Sequence, residues 1–247
     1  MKSIILVLLV ILLPLQTLGQ NINQDQSAGK IMQQITEEDS KNNQLKEKTL
    51  KYKRRIETYN SDQFGRISQK TSQELISIHP GKNGSSVEEL LEKDSKKATG
   101  KPSGGIPIDL NALFKTRFDF DLNTNILMEN NKSYLLINFK PKANPPTKSN
   151  KDDVINQIEG TIYIDLEGFY IAKIKAHLKQ TVSWFLGAAK VHFLDLTMIQ
   201  ERRADLNNIV VIKSAEILYK YTVLGSGDYQ KRIYSYEDYE LTTNRPN

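Results

Sequence analysis

The sequence predicts a mainly β fold of the α+β class: a curved antiparallel sheet or half-barrel wrapped around a few short helices. Three observations predict it. After residue 50, much of the chain alternates apolar and polar residues with a period of two, the pattern of half-buried strands. These runs are separated by turn signals such as Gln63-Phe64-Gly65 and Gly225-Ser226-Gly227-Asp228. The 247 residues include no cysteine, so stability has to come from a packed core and not from disulfides, and thiolate metal sites and thiol nucleophiles are excluded.

The chain begins with Met1-Lys2, an apolar run from Ile4 to Leu13, Pro14, and a small-residue exit at Thr17-Leu18-Gly19 before Gln20. A positive start, an apolar centre and a cleavage site in that order predict a signal peptide over residues 1–19. The run is shorter than the roughly 20 apolar residues that span a bilayer, and a retained signal anchor is the competing reading. No cysteine follows it, so lipid attachment at a processed cysteine is excluded. The expected mature chain is periplasmic or otherwise exported, and soluble once the signal is removed. About 228 residues then remain, a length that fits one large β domain. The formal net charge of +5, one unit of it from Lys2, is mild and mixed along the chain. Export argues against nucleic acid as a partner, while a mild basic balance is compatible with anionic headgroups.

Residues 20–50 are polar, with Ile31 and Ile35 four apart, which predicts a helical segment with a thin apolar stripe. A single antiparallel half-barrel domain is expected over 51–247. In its first run Tyr52, Arg54, Ile56 and Thr58 share one face, and residues 67–78 follow the turn, so a long hairpin is predicted. Residues 92–105, rich in Lys, Ser, Gly and Pro, read as a mobile loop. A short helix is expected near residues 108–114. Strands resume with Phe118-Asp119-Phe120-Asp121-Leu122 and again over 133–139, before a second mobile loop at 142–153 that contains Pro145-Pro146.

The clearest hairpin is residues 158–178, where two alternating runs meet at Asp165-Leu166-Glu167-Gly168-Phe169. A three-residue loop with Gly168 in the left-handed conformation would set Ile164 against Tyr170, Ile162 against Ala172 and Glu159 against Lys175. One face is then apolar throughout, and a one-residue slip would place lysines on it. Further strands are expected over 187–198, 208–224 and 230–241, joined by short turns into an up-and-down sheet.

Candidate chemistry is sparse. His79, His177 and His192 have no metal-ligand spacing and read as surface or satisfied histidines. No Gly-x-Ser-x-Gly nucleophile turn is present, and Gly81-Lys82-Asn83-Gly84-Ser85-Ser86 lacks the Gly-Lys-Ser/Thr end of a phosphate loop. Asp119, Asp121, Asp152, Asp153 and Glu237-Asp238 read as solvated carboxylates. Tyr219, Tyr221, Tyr229, Tyr234, Tyr236 and Tyr239, interleaved with Lys220, Lys231 and Arg232, could stack bases or sugars but are also good strand residues. No catalytic residue, metal site or cofactor is assigned, and an enzyme is not expected.

The stretch GTIYIDLEGFYIAKIKAHL and the terminal strand YSYEDYEL, in an exported chain of long antiparallel strands, resemble uncharacterised periplasmic proteins similar to the lipoprotein-carrier (LolA and LolB) superfamily. The overlap covers most of residues 51–241. The resemblance implies a half-barrel curled around a few helices, a cavity for acyl chains and no catalysis. The cavity lining would then be Ile162, Ile164, Tyr170, Ile174, Leu178, Val191 and Phe193. The ligand would be hydrophobic or amphiphilic: an acyl chain, a membrane lipid or a lipoprotein. The same apolar face serves equally well as an ordinary filled core, in which case the chain is an envelope interaction or sensor protein. An open cavity or a closed core distinguishes the two.

Overall fold

The computed structural model describes residues 28–81, 85–94 and 116–242. The expected signal peptide, most of the loop expected at 92–105 and the helix expected near 108–114 lie outside the described residues. The described chain opens with helix α1 (Ala28–Thr49), which runs directly into strand β1 (Leu50–Ser61). Then come β2 (Ile67–Pro80), β3 (Ser86–Asp94), β4 (Phe118–Glu129) and β5 (Lys132–Pro141). A short helix α2 (Asn150–Ile155) precedes β6 (Ile158–Asp165), β7 (Tyr170–Leu178) and β8 (Val182–Trp184). The series ends with β9 (Ala189–Arg203), β10 (Ile209–Val223) and β11 (Tyr229–Leu241).

All pairings are antiparallel, and the spatial order is β3-β2-β1-β11-β10-β9-β7-β6-β5-β4, with β8 added alongside β9. The sheet does not close, so β3 and β4 are its edges. Helix α1 touches β2 near one edge and β4 at the other, as well as β1, β7 and β10 between them. One helix reaches strands so far apart in the order only because the sheet curls around it. The mainly antiparallel, curved fold expected from the alternation is therefore the fold found, with one long helix and one short one among the described residues.

Helix α1 forms and docks for one reason. Ala28, Ile31, Met32 and Ile35 recur at helical spacing and are buried, whereas most of the remaining turns face solvent. Lys46 and Lys48 in its last turn suit the negative end of the helix dipole. The turn between β1 and β2 is built on Asp62, whose carboxylate accepts from the backbone N–H groups of Phe64 and Arg66 at 2.9 and 3.0 Å.

The β6–β7 hairpin corrects the expected register. Ile158 faces Leu178, Glu159 faces His177 and Ile162 faces Ile174, a shift of two residues from the expected pairing. The side chain of Asp165 is the cause. Its Oδ1 accepts from the N–H groups of both Glu167 and Gly168, and its carbonyl accepts from Phe169, which draws Leu166 to Phe169 into a four-residue turn. Phe169, not Gly168, takes the left-handed conformation, at φ 50°. A bulge between Tyr163 and Ile164 completes the adjustment. Since the shift is even, the apolar face survives it. Gly160 is required here: a Cβ on it would lie 2.0 Å from the Lys175 carbonyl oxygen.

Residues 142–153 are fastened to the sheet. The buried Arg117 donates to Asp152 Oδ1 at 2.7 Å and to Asn156 Oδ1 at 2.8 Å, and Asp152 Oδ2 accepts from the N–H of Lys148 at 2.7 Å. Trp184 Nε1 donates to Asp153 Oδ2 at 2.7 Å.

Candidate functional site

The concave face divides into two halves of different chemistry. Its first half is made by β4 to β7 and β9, whose inward residues include Phe118, Ile137, Ile158, Ile162, Ile174 and Leu196. Every one of these is at most 1% exposed. Ile31, Met32 and Ile35 of α1 belong to the same cluster, and the helix touches strands of both halves.

The second half, made by β1 to β3, β10 and β11, continues that cluster with Ile56, Ile76, Ile78 and Ile217 and adds aromatic and charged side chains. The alternation that places Ile56 inward also places Arg54 inward, opposite Ile76 on β2 and Tyr236 on β11. Arg54 Nη2 lies 3.0 Å from Glu88 Oε2, and Lys93 lies 2.8 Å from Glu74 with both side chains largely covered. Arg232 sits over the Tyr219 ring at 5.7 Å and donates to the Tyr219 and Tyr234 hydroxyls at 3.4 and 3.5 Å. Burial pushes the phenols of Tyr52, Tyr219 and Tyr236 up, which keeps them neutral hydrogen-bonding groups. The period-two grouping of Arg54 with Tyr52, Ile56 and Thr58 was the available signal for this inward cation; Arg232 carried none beyond its place among the tyrosines.

The seven expected lining residues do not converge. Ile162, Ile164 and Ile174 meet in the closed core, each at 0% exposure, with Leu178 at its margin. Tyr170 belongs to a separate small cluster with Ala172 and Val210, where the Arg202 guanidinium lies 5.3 Å from its ring centroid. Phe193 alternates with the core residues Leu194 and Leu196, so it faces outward, edge-on to Tyr229 at 5.8 Å. Val191 is half-buried where β8 joins β9, opposite Val182.

Below Ser214 the strand β10 no longer pairs with β11; the Ile212 carbonyl accepts from the Tyr239 hydroxyl, and α1 supplies a further substitute. Asn42 Nδ2 donates to the Val210 carbonyl and Asn42 Oδ1 accepts from the Val210 N–H, both at 2.8 Å, in the manner of a paired strand. Beside this joint a cleft of about 220 Å³ runs between α1 and the β6–β7 turn. Leu45, Phe169, Ile171 and Val210 give it apolar walls, and Glu38 and Arg202 give it charge.

Neither a family model nor a curated protein sequence matches the chain. Among solved structures it is similar to one described as the complex of Pseudomonas aeruginosa MucA/MucB, with a TM-score of 0.28 and 7% identity over 84% of this chain and 94% of that one. Identity this low assigns no family.

The cleft beside α1 is smaller than the roughly 300–1,000 Å³ of typical ligand sites. A hollow of about 610 Å³ over the strands β4 to β7 is larger, with a mixed wall in which Phe120 and Phe139 stand beside Asp119, Asp121, Lys140, Glu159 and His177. There His177 Nε2 lies 3.4 Å from Glu159 across the hairpin, and on β9 His192 shares a hydrogen bond with Thr222. Among the described residues, no three His, Asp or Glu side chains are grouped to hold a metal ion.

Proposed function

We propose that this chain is an exported, non-enzymatic interaction protein of the cell envelope, working through its folded surface with its concave face closed. The observation that carries the reading is the position of α1. Its apolar stripe lies against the concave face where an acyl chain would otherwise go, in one cluster with Ile162 and Ile174. On β1 to β3, β10 and β11 the aliphatic residues are interspersed with Arg54, Arg232, Glu74 and four tyrosines, whose mutual pairing makes this part a poor bed for hydrocarbon.

The carrier reading keeps one observation in its favour. Helix α1 buries residues only in its first turns, while its second half is held by hydrogen bonds from Asn42 to Val210 and from Thr242 to the Thr49 carbonyl, so the helix resembles a plug as much as a strut. Native mass spectrometry of the purified chain, followed by organic extraction and then addition of fatty acid and a lipopeptide, separates the two. A clean chain that ignores both additives supports the closed interaction protein. A stoichiometric amphiphile, found bound or taken up, overturns it in favour of the carrier.

A further inference from the structure

The strand registers bring three turns to one end of the sheet. Ser61 pairs with Tyr229 and Tyr229 with Lys220, while Ala189 pairs with both Val223 and Trp184. The β1–β2, β8–β9 and β10–β11 turns therefore lie side by side, and the Leu224 N–H donates to the Ala188 carbonyl across two of them at 2.6 Å. Each turn holds a large apolar side chain out into solvent: Phe64 at 73% exposure, Phe185 at 76%, Leu186 at 110% and Leu224 at 83%.

Turn chemistry does not explain these residues. Phe185, Leu186 and Leu224 hold left-handed backbone at φ 52°, 56° and 51°, a conformation disfavoured for bulky side chains. At the opposite end of the same sheet, the β4–β5 and β9–β10 turns fill that conformation with Asn130-Asn131 and Asn207-Asn208, the residue type that tolerates it. Phe169, also at that end, is partly covered within the cleft beside α1. The first end thus places Phe and Leu where Asn or Gly would suit the backbone better. Strain retained at exposed positions points to function.

Two lysines flank the tips, with one carboxylate, Asp228, in the β10–β11 turn. Lys190 lies beside the β8–β9 turn, its Nζ 3.7 Å from where a Cβ on Gly187 would sit, and Lys220 lies over the Tyr229 ring at 5.0 Å. Neither makes an ion pair among the described residues, whereas Asp62 in the neighbouring turn is taken up by Arg66. Separate apolar tips flanked by Lys190 and Lys220 fit a soft, anionic surface that needs no preformed pockets to receive them. We infer that this end docks on a lipid bilayer, with Phe64, Phe185, Leu186 and Leu224 entering the acyl boundary and Lys190 and Lys220 at the level of anionic headgroups.

The proposal goes beyond the closed-core reading and does not depend on it, because the tips lie outside the concave face. Its test is flotation of the full chain with vesicles of equal parts phosphatidylglycerol and phosphatidylcholine, beside vesicles of phosphatidylcholine alone. A variant carrying Phe185→Asn, Leu186→Asn and Leu224→Asn suits the left-handed turns and should keep or raise the melting temperature. The wild type should float with the anionic vesicles, the triple variant should bind roughly tenfold less or weaker, and Lys190→Gln with Lys220→Gln should weaken the dependence on salt. A wild type that stays with the soluble fraction, or a triple variant that floats as well as the wild type, overturns the proposal. The second result would assign the binding to another part of the chain, such as its apolar start.

Discussion

Replacing Ile31 and Ile35 by alanine tests whether α1 is part of the folded body. Both side chains are essentially buried, at 2% and 1% exposure, and belong to the cluster that spans the sheet. Each substitution removes three carbons, about 2.4 kcal/mol at roughly 0.8 kcal/mol per methylene. The cavity left behind raises the cost of each to about 2–5 kcal/mol. Together the pair removes a large share of the roughly 5–15 kcal/mol that holds a domain folded. The single tryptophan makes the assay direct, because Trp184 is on β8 and reports on the sheet at a distance from the helix. In urea, Ile35→Ala alone should lower the Trp184 midpoint by about 1 M with an unchanged slope, and helical circular dichroism should be lost in the same transition. If the Trp184 midpoint stays put while helicity melts separately at lower urea, α1 is a detachable plug. That result would refute the strut argument and open the concave face to ligand.

Two further expectations follow from hydrogen bonds. Asn42→Ala should speed amide exchange at Val210 and cost about 1–2 kcal/mol in urea unfolding, since both backbone groups then turn to water; unchanged exchange would show that the pairing is not maintained in solution. Asp152 is held below the usual carboxylate range by the Lys148 N–H and by the Arg117 guanidinium. A lowered folded-state pKa means the unfolded chain binds the proton more readily, so this contribution is complete above about pH 4 and fades as pH falls through the folded value. The urea midpoints of wild type and Asp152→Asn should therefore differ at pH 7 and draw together as pH falls below the ordinary aspartate range, and a gap that does not narrow on acidification would contradict the assignment.

The fold class and the paths of β1, β2, β6, β7 and the last three strands were legible because alternation is strong there and turn residues bound each run. Strand β3 was not: Val87-Glu88-Glu89-Leu90-Leu91-Glu92-Lys93 is rich in helix formers, and only pairing with β2 makes it a strand. The β6–β7 register was missed by two residues because backbone pattern constrains parity, whereas the turn's starting point was decided by one carboxylate, Asp165. The apolar face was legible as a face; whether it was open depended on where α1 would land, a long-range fact. Exposure of Phe185 and Leu186 was hidden for the opposite reason, since apolar residues beside a strand read as core until their neighbours are known.

The sheet order has a kinetic consequence. β1 lies between β2 and β11, so the strand formed first along the chain is completed only by the last described one, as in the pairing of Lys53 with Asp238 across 185 residues. Helix α1 likewise needs β10 before Asn42 has a partner. Contacts of such sequence separation bear the full entropy of loop closure before they contribute stability, which makes folding slow. A chain that emerges from its N-terminus therefore stays incomplete until nearly all of it has arrived. On the export proposed above, this delay would keep the polypeptide unfolded enough to thread through a membrane until nearly all of it had arrived.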